Sequence, residues 1–221
     1  MAAAKPRALV FGHSFVRRMG EFIDKSQPKA LYCRDFHLAN VCEVNILGIG
    51  GRTVDKAIHF DLDNVKSHVP NLIVLEMGSN DVCDSACNAE STAWSLVALA
   101  ELLLSECKIQ FIVVCQILPR KRPPFEGYNE RVGQINSIVC NKLQSNPRAK
   151  FWRHRGLIDP AVDIYLDDGI HLNEAATGPS TRAIVEPSFS PCLNYSNLPK
   201  SITLPSFIPG HYCDYSFLGI Y

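Results

Sequence analysis

Short runs of apolar residues alternate along this chain with longer segments whose apolar residues recur at helical spacing. The runs at residues 7–12, 41–47, 72–77 and 109–115 predict four strands, and a shorter fifth strand is expected near residues 150–152. Strands that are apolar at every position are typical of a parallel sheet covered on both faces. The pattern therefore predicts an α/β fold with helices on both sides of a parallel sheet of about five strands.

The segments between these runs predict the helices that cover the sheet. Helical spacing is found over residues 14–25, from about Thr53, over residues 91–106 and between Tyr128 and Leu143. Asp61 interrupts the apolar face of the second helix. The segment 91–106 is apolar almost all round, so this helix is expected to be well buried.

The pattern changes after about Thr177. Six prolines interrupt any periodicity beyond this point, although aromatic residues keep the segment apolar. The helix expected after His171 should stop at Gly178 and Pro179, because proline cannot continue a helix interior. The sequence therefore predicts a folded domain over residues 1–177 and an irregular, proline-rich tail over residues 178–221.

Composition places the chain among ordinary soluble globular proteins, with 47% hydrophobic and 20% charged residues. Its 22 basic and 22 acidic residues give a formal net charge of zero, so overall charge requires neither a nucleic-acid nor a membrane partner. No segment is long enough to span a bilayer and no apolar signal core is found, so a cytoplasmic location is expected. Several of the nine cysteines lie in apolar runs, so we expect buried, reduced thiols. Only Cys83 and Cys87 are close together in the sequence, without a second such pair, so we expect no metal site.

Three strands end in polar or glycine-rich turns, at Gly12-His13-Ser14, at residues 48–51 and at residues 78–81. In a parallel sheet the working site lies beyond the carboxyl ends of the strands, so these turns should converge. Ser14 lies between a strand and a helix, where unpaired N–H groups and the helix dipole favour negative charge. Ser14 is therefore either a nucleophile or a helix N-cap, a position that serine commonly occupies.

A turn late in the chain supplies a candidate base. Asp168 precedes His171 by three residues, so its carboxylate can reach Nδ1 and leave Nε2 for Ser14. Asp167 is a competing partner for His171 at a less natural spacing. His13 adjoins Ser14, but neighbouring side chains at a strand end point to opposite faces, which disfavours it as the base. The other histidines lack a companion pattern, and exposed or capping positions are expected for His37, His59, His68, His154 and His211.

Donors for a developing oxyanion come from the two remaining turns. Gly50 and Gly51 allow backbone to approach a ligand closely. Asn80 offers a side-chain N–H just after the third strand. Each of these is also a common turn residue, so only their combination is informative.

The order of these pieces resembles the SGNH hydrolases, also called GDSL-type esterases and lipases. A Gly-x-Ser turn, a Gly-Gly turn, a Gly-Ser-Asn-Asp turn and an Asp-Gly-Ile-His turn occur in that order. The resemblance covers roughly residues 7–175 and implies a flavodoxin-like three-layer fold. Further motifs resemble esterase-like domains of animal transposon-derived open reading frames, namely residues 12–18, Ile117-Leu-Pro-Arg120, Tyr128-Asn-Glu-Arg131 and residues 152–156.

The resemblance implies a cofactor-free serine esterase that hydrolyses a small or lipid-like carboxylic ester through an acyl-enzyme. It implies that Ser14 is the nucleophile, His171 the base and Asp168 the carboxylate that orients the base. The oxyanion donors it implies are the N–H groups of Ser14 and Gly51 and the side-chain amide of Asn80. Gly50 is the alternative alignment for Gly51.

Two departures from the family pattern leave a second hypothesis open. His13 stands where the family usually has aspartate, and the final helix is interrupted. The alternative is a catalytically idle fold used for binding, in which a basic patch could contact nucleic acid, although such charges more often form a solvated face. The basic residues concerned are Arg120, Lys121, Arg122, Arg148, Lys150, Arg153 and Arg155.

Overall fold

The computed structural model describes residues 4–25, 38, 41–154, 163–173 and 176. Its five strands are β1 (Arg7–Gly12), β2 (Glu43–Gly48), β3 (Leu72–Glu76), β4 (Phe111–Cys115) and β5 (Ala149–Trp152). Its helices are α1 (Ser14–Lys25), α2 (Val54–Phe60), α3 (Leu62–Ser67), α4 (Ala89–Glu106) and α5 (Tyr128–Leu143), with a short 3₁₀ helix at Asp81–Cys83.

All five strands are parallel and lie in the order β2-β1-β3-β4-β5. The chain runs outward from β1 to β2 and then returns past β1 to build the other half of the sheet. In such sheets a ligand crevice lies at the carboxyl ends of the strands where the order reverses, here between β1 and β3. The predicted fold class and strand number are confirmed.

Alternate residues of each strand enter two different cores, one on each face of the sheet. In β1, Leu9 and Phe11 pack in the larger core with α4 and α5, whereas Ala8 and Val10 pack against α1 on the opposite face. This alternation follows from the two-residue repeat of a strand. It explains why the central strands β1, β3 and β4 are almost entirely apolar, since both of their faces are buried, whereas the edge strands β2 and β5 are only partly buried.

The helix expected from Thr53 is in fact two helices that meet at Asp61. Asp61 is only 3% exposed, and both of its carboxylate oxygens accept hydrogen bonds from the Arg52 guanidinium, at 2.7 and 2.8 Å. A buried carboxylate needs such a charged partner. The residue that interrupts the apolar stripe therefore ends α2 and ties it back to the turn after β2.

The amino end of α1 packs directly onto the strand ends, with glycine at both contacts. A Cβ atom on Gly12 would lie 2.2 Å from the Glu76 carbonyl oxygen, and one on Gly48 would lie 2.1 Å from the Arg17 nitrogen. Only glycine allows backbones to approach so closely. These contacts set the position of the residue that begins α1, Ser14.

Several sequence predictions fall outside the described residues. They are the tail over residues 178–221, the helix interruption at Gly178 and Pro179, and the surroundings of His37, His211 and Arg155. The domain boundary at residue 177 and the cytoplasmic location stay predictions. Among the helices that the structure describes, none is long and apolar enough to cross a membrane.

Candidate active site

Ser14, His171 and Asp168 form a continuous hydrogen-bonded chain at the carboxyl edge of the sheet. Ser14 Oγ lies 3.2 Å from His171 Nε2. On the other side of the ring, Nδ1 lies 2.7 Å from Asp168 Oδ2. The carboxylate accepts a hydrogen bond from the N–H at Nδ1, so the neutral imidazole presents an unprotonated Nε2 to the serine hydroxyl. A hydroxyl, an imidazole and a carboxylate in this order can perform nucleophilic catalysis.

The turn that carries His171 is built around the Asp168 carboxylate. Its second oxygen, Oδ1, accepts hydrogen bonds of 2.9 Å from the N–H groups of both Ile170 and His171. Burial alone would raise the pKa of Asp168, but these N–H groups and the His171 ring outweigh it and hold the pKa well below its usual value. Asp168 is therefore ionised at neutral pH and held in one orientation. The contact with Nδ1 is made by Asp168 and not by Asp167, the competing candidate.

This turn docks on the proline-stiffened loop that follows β4. The Gly169 carbonyl oxygen accepts hydrogen bonds from the N–H groups of Lys121 (2.9 Å) and Arg122 (3.2 Å). The Tyr165 hydroxyl donates to the Pro119 carbonyl oxygen. Gly169 has a φ of +66°, and a Cβ atom there would lie 2.6 Å from Arg122 Cγ. The loop thereby holds His171 against Ser14, which is 157 residues away in the chain.

His13, not Ser14, makes the capping contact with α1. Its Nδ1 accepts a hydrogen bond of 3.3 Å from the Phe15 N–H, and its own N–H donates to the Glu76 carbonyl oxygen at 3.2 Å. Burial lowers the pKa of His13 to about 4, with Arg120 and His171 adding to the effect and Glu76 opposing it. His13 is therefore neutral at pH 7, and the Ser14 hydroxyl is left to contact His171.

The other two turns converge on the same edge. The Asn80 side-chain N–H₂ group donates a 2.8 Å hydrogen bond to the Arg52 carbonyl oxygen, which directly follows Gly51. Gly51 has a φ of +69°, and open space lies where a Cβ atom would be. Backbone N–H groups beside open space and a fixed side-chain amide are suitable donors for an oxyanion. Gly50, the alternative alignment, faces the Arg17 side chain instead.

Asp81 links the turn after β3 to the start of α2. Its Oδ1 accepts a 2.9 Å hydrogen bond from the Val54 N–H at the start of α2, whereas Oδ2 is buried without a hydrogen-bond partner. Burial raises the pKa of Asp81 to about 6, against the opposing effect of the hydrogen bonds from backbone N–H groups. The contact fixes the turn after β3 relative to α2.

Arg120 is a positioning residue that the sequence analysis assigned to a surface patch, and this assignment is wrong. The side chain is buried, with its guanidinium 4.9 Å from the centre of the Tyr128 ring. Its Nη2 donates to the Ser79 carbonyl oxygen (3.1 Å) and hydroxyl (3.0 Å), immediately before Asn80. The Leu118-Pro-Arg120 motif was the available signal. Sequence alone did not separate a buried arginine from its exposed neighbours.

His154 also differs from expectation. It is completely buried rather than exposed or capping, and its Nε2 lies 3.1 Å from Glu76 Oε2. With Cys115 these residues form the one group of three potential metal ligands found within the described part of the chain. The group lies on the face of the sheet that packs against α1, whereas the Ser14 hydroxyl contacts His171.

Solved structures with the same fold include several esterases. A protein assigned as an acylhydrolase from Bacteroides fragilis shares 18% identity with a TM-score of 0.67, over 85% of this chain and 91% of that one. A GDSL-like lipase from Bacteroides thetaiotaomicron shares 19% identity with a TM-score of 0.65, over 86% and 93%. A catalytic mutant of an acetylxylan esterase from Geobacillus stearothermophilus shares 13% identity with a TM-score of 0.62, over 85% and 96%. At such identities these likenesses show the fold.

The family is shown by the sequence itself. A comparison with curated proteins finds no match for the chain. The sequence profile of GDSL-like lipases and acylhydrolases, however, matches residues 10–177, which is well over half of the 221 residues. The matched segment begins within β1 and includes Ser14, Gly51, Asn80, Asp168 and His171. This chain belongs to the GDSL-like lipase/acylhydrolase family.

Proposed function

We propose that this protein is a serine esterase that hydrolyses carboxylic esters through an acyl-enzyme. The proposal rests on one observation, the hydrogen-bonded chain from Ser14 Oγ through His171 to Asp168. Membership of an acylhydrolase family supports it. The resemblance to transposon-derived domains stays a prediction and is not needed for this assignment.

In the acylation step, Ser14 Oγ attacks the carbonyl carbon of the ester while His171 Nε2 takes the hydroxyl proton. The ionised Asp168 carboxylate stabilises the imidazolium that forms, because it accepts the Nδ1 proton in a charge-assisted hydrogen bond. The tetrahedral intermediate then collapses. His171 gives its proton to the leaving alcohol, and the acyl group remains on Ser14.

In the deacylation step, a water molecule gives a proton to His171 and attacks the acyl carbon. Collapse of the second intermediate releases the carboxylic acid and returns the proton to Ser14 Oγ. Both steps use the same imidazole in the same orientation. The His171 side chain is 19% exposed, so it is accessible to solvent.

The negative charge that develops on the carbonyl oxygen requires donors already in place. We assign the backbone N–H groups of Ser14 and Gly51 and the side-chain amide of Asn80 to this role. One amide proton of Asn80 is occupied by the Arg52 carbonyl oxygen, which leaves the other for the oxyanion. Such fixed donors stabilise the transition state more than the ground state.

His13 and Arg120 support the site without entering the chemistry. Because its pKa is about 4, His13 adds no positive charge beside His171 at neutral pH. A second imidazolium there would oppose the protonation of His171 during acylation. Arg120 holds Ser79 and therefore the turn that ends in Asn80.

Short acyl esters are the first substrates to test. Related folds include an acetyl esterase and an acetylxylan esterase. Exposed apolar side chains lie within the Asp168–His171 turn, at Ile170, and just before it, at Leu166. We expect hydrolysis of p-nitrophenyl acetate and covalent labelling by a fluorophosphonate. Ser14→Ala should abolish labelling and lower kcat/KM by roughly 10⁴–10⁶-fold.

A matched control is Ser95→Ala, which changes an exposed serine on α4 that bonds only to its own helix. This variant should keep wild-type activity and labelling. Equal activity in wild type and Ser14→Ala would contradict the assignment. A wild type that neither labels nor hydrolyses any ester would instead favour the idle binding fold.

A further inference from the structure

A compact group of three side chains lies in the protein interior, behind the turn that carries Ser14. Glu76 is 4%, Cys115 2% and His154 0% exposed. One ligand atom from each lies within 4.8 Å of the other two, and His154 Nε2 is 3.1 Å from Glu76 Oε2. No step of the proposed hydrolysis uses these groups.

The sheet itself brings the three residues together. Glu76 ends β3 and Cys115 ends β4, while His154 follows the last residue of β5 by two positions. Cys115 and Trp152 belong to the core that packs against α1. Glu76 lies two residues after Val74 and His154 two residues after Trp152, and both Val74 and Trp152 belong to this core. Because side chains alternate along a strand, Glu76 and His154 lie on the same face. The ends of β3 and β4 and the segment just after β5 therefore each contribute one donor on one face of the sheet.

We propose that Glu76, Cys115 and His154 form a buried binding site for a divalent transition-metal ion, for which Zn²⁺ fits best. A thiolate, an imidazole and a carboxylate are the ligands that Zn²⁺ takes in proteins, whereas Mg²⁺ and Ca²⁺ prefer oxygen alone. Zinc bonds of about 2.0–2.3 Å at tetrahedral angles place ligand atoms roughly 3.3–3.8 Å apart. The ligand atoms lie within 4.8 Å of one another, so the longest separation needs to shorten by about 1.0–1.5 Å. With three protein ligands, a water molecule would take the fourth position.

The charges support a divalent ion. When Zn²⁺ binds, the Cys115 thiol loses its proton to solvent, His154 binds as neutral imidazole and Glu76 is ionised. Two negative ligands and one divalent cation sum to zero, so no net charge is buried. Zinc would thereby join the ends of β3 and β4 to the segment just after β5 beneath the Ser14 turn, where the Glu76 carbonyl oxygen already accepts the His13 N–H.

The competing interpretation is a metal-free Glu76–His154 ion pair with Cys115 as an apolar neighbour. To distinguish the two, the full chain is refolded with one equivalent of Co²⁺ or Zn²⁺, since such buried sites fill as the chain folds. We expect one tightly held ion per chain and, with Co²⁺, a thiolate-to-metal charge-transfer band. Cys115→Ser should remove the band, and His154→Gln should weaken metal retention at least about 10-fold. Refolded wild type without bound metal would overturn the proposal.

Matched controls are Cys140→Ser on α5 and His68→Gln after α3, both outside the group. Both should retain one ion per chain and the band. A band that survives Cys115→Ser, or that disappears in Cys140→Ser, would also overturn the proposal. X-ray absorption on zinc-loaded wild type needs no variant and covers the case in which Cys115→Ser fails to fold. One sulfur with nitrogen and oxygen ligands is expected, and a shell without sulfur or with two sulfurs would contradict the site.

Discussion

The side-chain amide of Asn80 donates a hydrogen bond of 2.8 Å to the backbone carbonyl oxygen of Arg52. This contact joins the turn after β3 to the turn after β2, 28 residues earlier in the chain. In the proposed function, the second proton of this amide and the Gly51 N–H are donors for the oxyanion. The two candidate oxyanion donors therefore form one unit.

We expect Asn80→Ala to lower kcat by about 10²–10³-fold while KM changes little, because the amide acts mainly on the transition state. The variant also loses the contact with Arg52, which costs about 1 kcal/mol in the free energy of unfolding. Steady-state kinetics on an active ester and urea denaturation separate the two effects. Asn88→Ala, which removes the N-cap of α4, should lower stability by about 1 kcal/mol and leave kcat unchanged. A change confined to KM in Asn80→Ala would make Asn80 a binding residue.

Asp168→Asn should lower kcat by about 10⁴-fold, because an amide facing Nδ1 favours the wrong tautomer of His171. The asparagine oxygen can still accept the N–H groups of Ile170 and His171, so the turn should be preserved. Circular dichroism and kinetics on the purified variant check both points. The matched change Asp167→Asn should be silent, and the reverse result would move the orienting role to Asp167.

We expect kcat/KM to rise with pH around neutrality, because the base must be neutral to accept a proton. Burial lowers the pKa of His13 to about 4, so His13 is already neutral at such pH values. His13→Asn should therefore keep the shape of the profile, since asparagine can also cap α1. Loss of the rise in this variant would identify His13 as the base.

Burial raises the pKa of Asp81 from 3.8 to about 6. A raised pKa means that the folded state binds the proton more tightly, so the favourable contribution is complete below about pH 4 and is lost as pH rises through 6. The difference of about two pKa units corresponds to roughly 2–3 kcal/mol. Asp81→Asn has no carboxyl group to titrate, so it should not lose this contribution as pH rises. The free energy of unfolding of the variant minus that of wild type should therefore increase from pH 4 to pH 7. Urea denaturation at both pH values measures it, with the exposed Asp63→Asn as control, and a pH-independent difference would contradict the prediction.

Gly48→Ala should be strongly destabilising, whereas Gly133→Ala should stabilise the protein. A Cβ atom on Gly48 would lie 2.1 Å from the Arg17 nitrogen and 2.4 Å from its Cα, and helix backbone cannot yield as a side chain would. We expect a loss of about 3 kcal/mol. No atom lies within 4 Å of a Cβ on Gly133 within α5, so alanine there should add up to about 1 kcal/mol through helix propensity. Thermal or chemical denaturation of the pair tests both signs.

The sequence by itself determined the elements of the fold and the local part of the site. Apolar runs and helical spacing are local properties, so the strand number, the parallel sheet and α1 could be predicted from them. The Asp168–His171 contact was also predictable, because three residues in a turn bring the two side chains together. The boundary errors were small, such as the start of β2 at Glu43 rather than at residue 41.

Only the tertiary structure decided which distant groups meet. The group of Glu76, Cys115 and His154 has no spacing signal, because its members come from the ends of β3 and β4 and the segment just after β5, which the sheet places side by side. The same holds for Arg120, whose burial beneath the Ser79 turn depends on the packing of a loop 41 residues away. Local patterns report which face of an element is apolar, and they do not report which polar residue another element will enclose. Burial turns Arg120 and His154 from expected surface residues into parts of the interior, because a buried polar side chain requires partners that only the complete fold supplies.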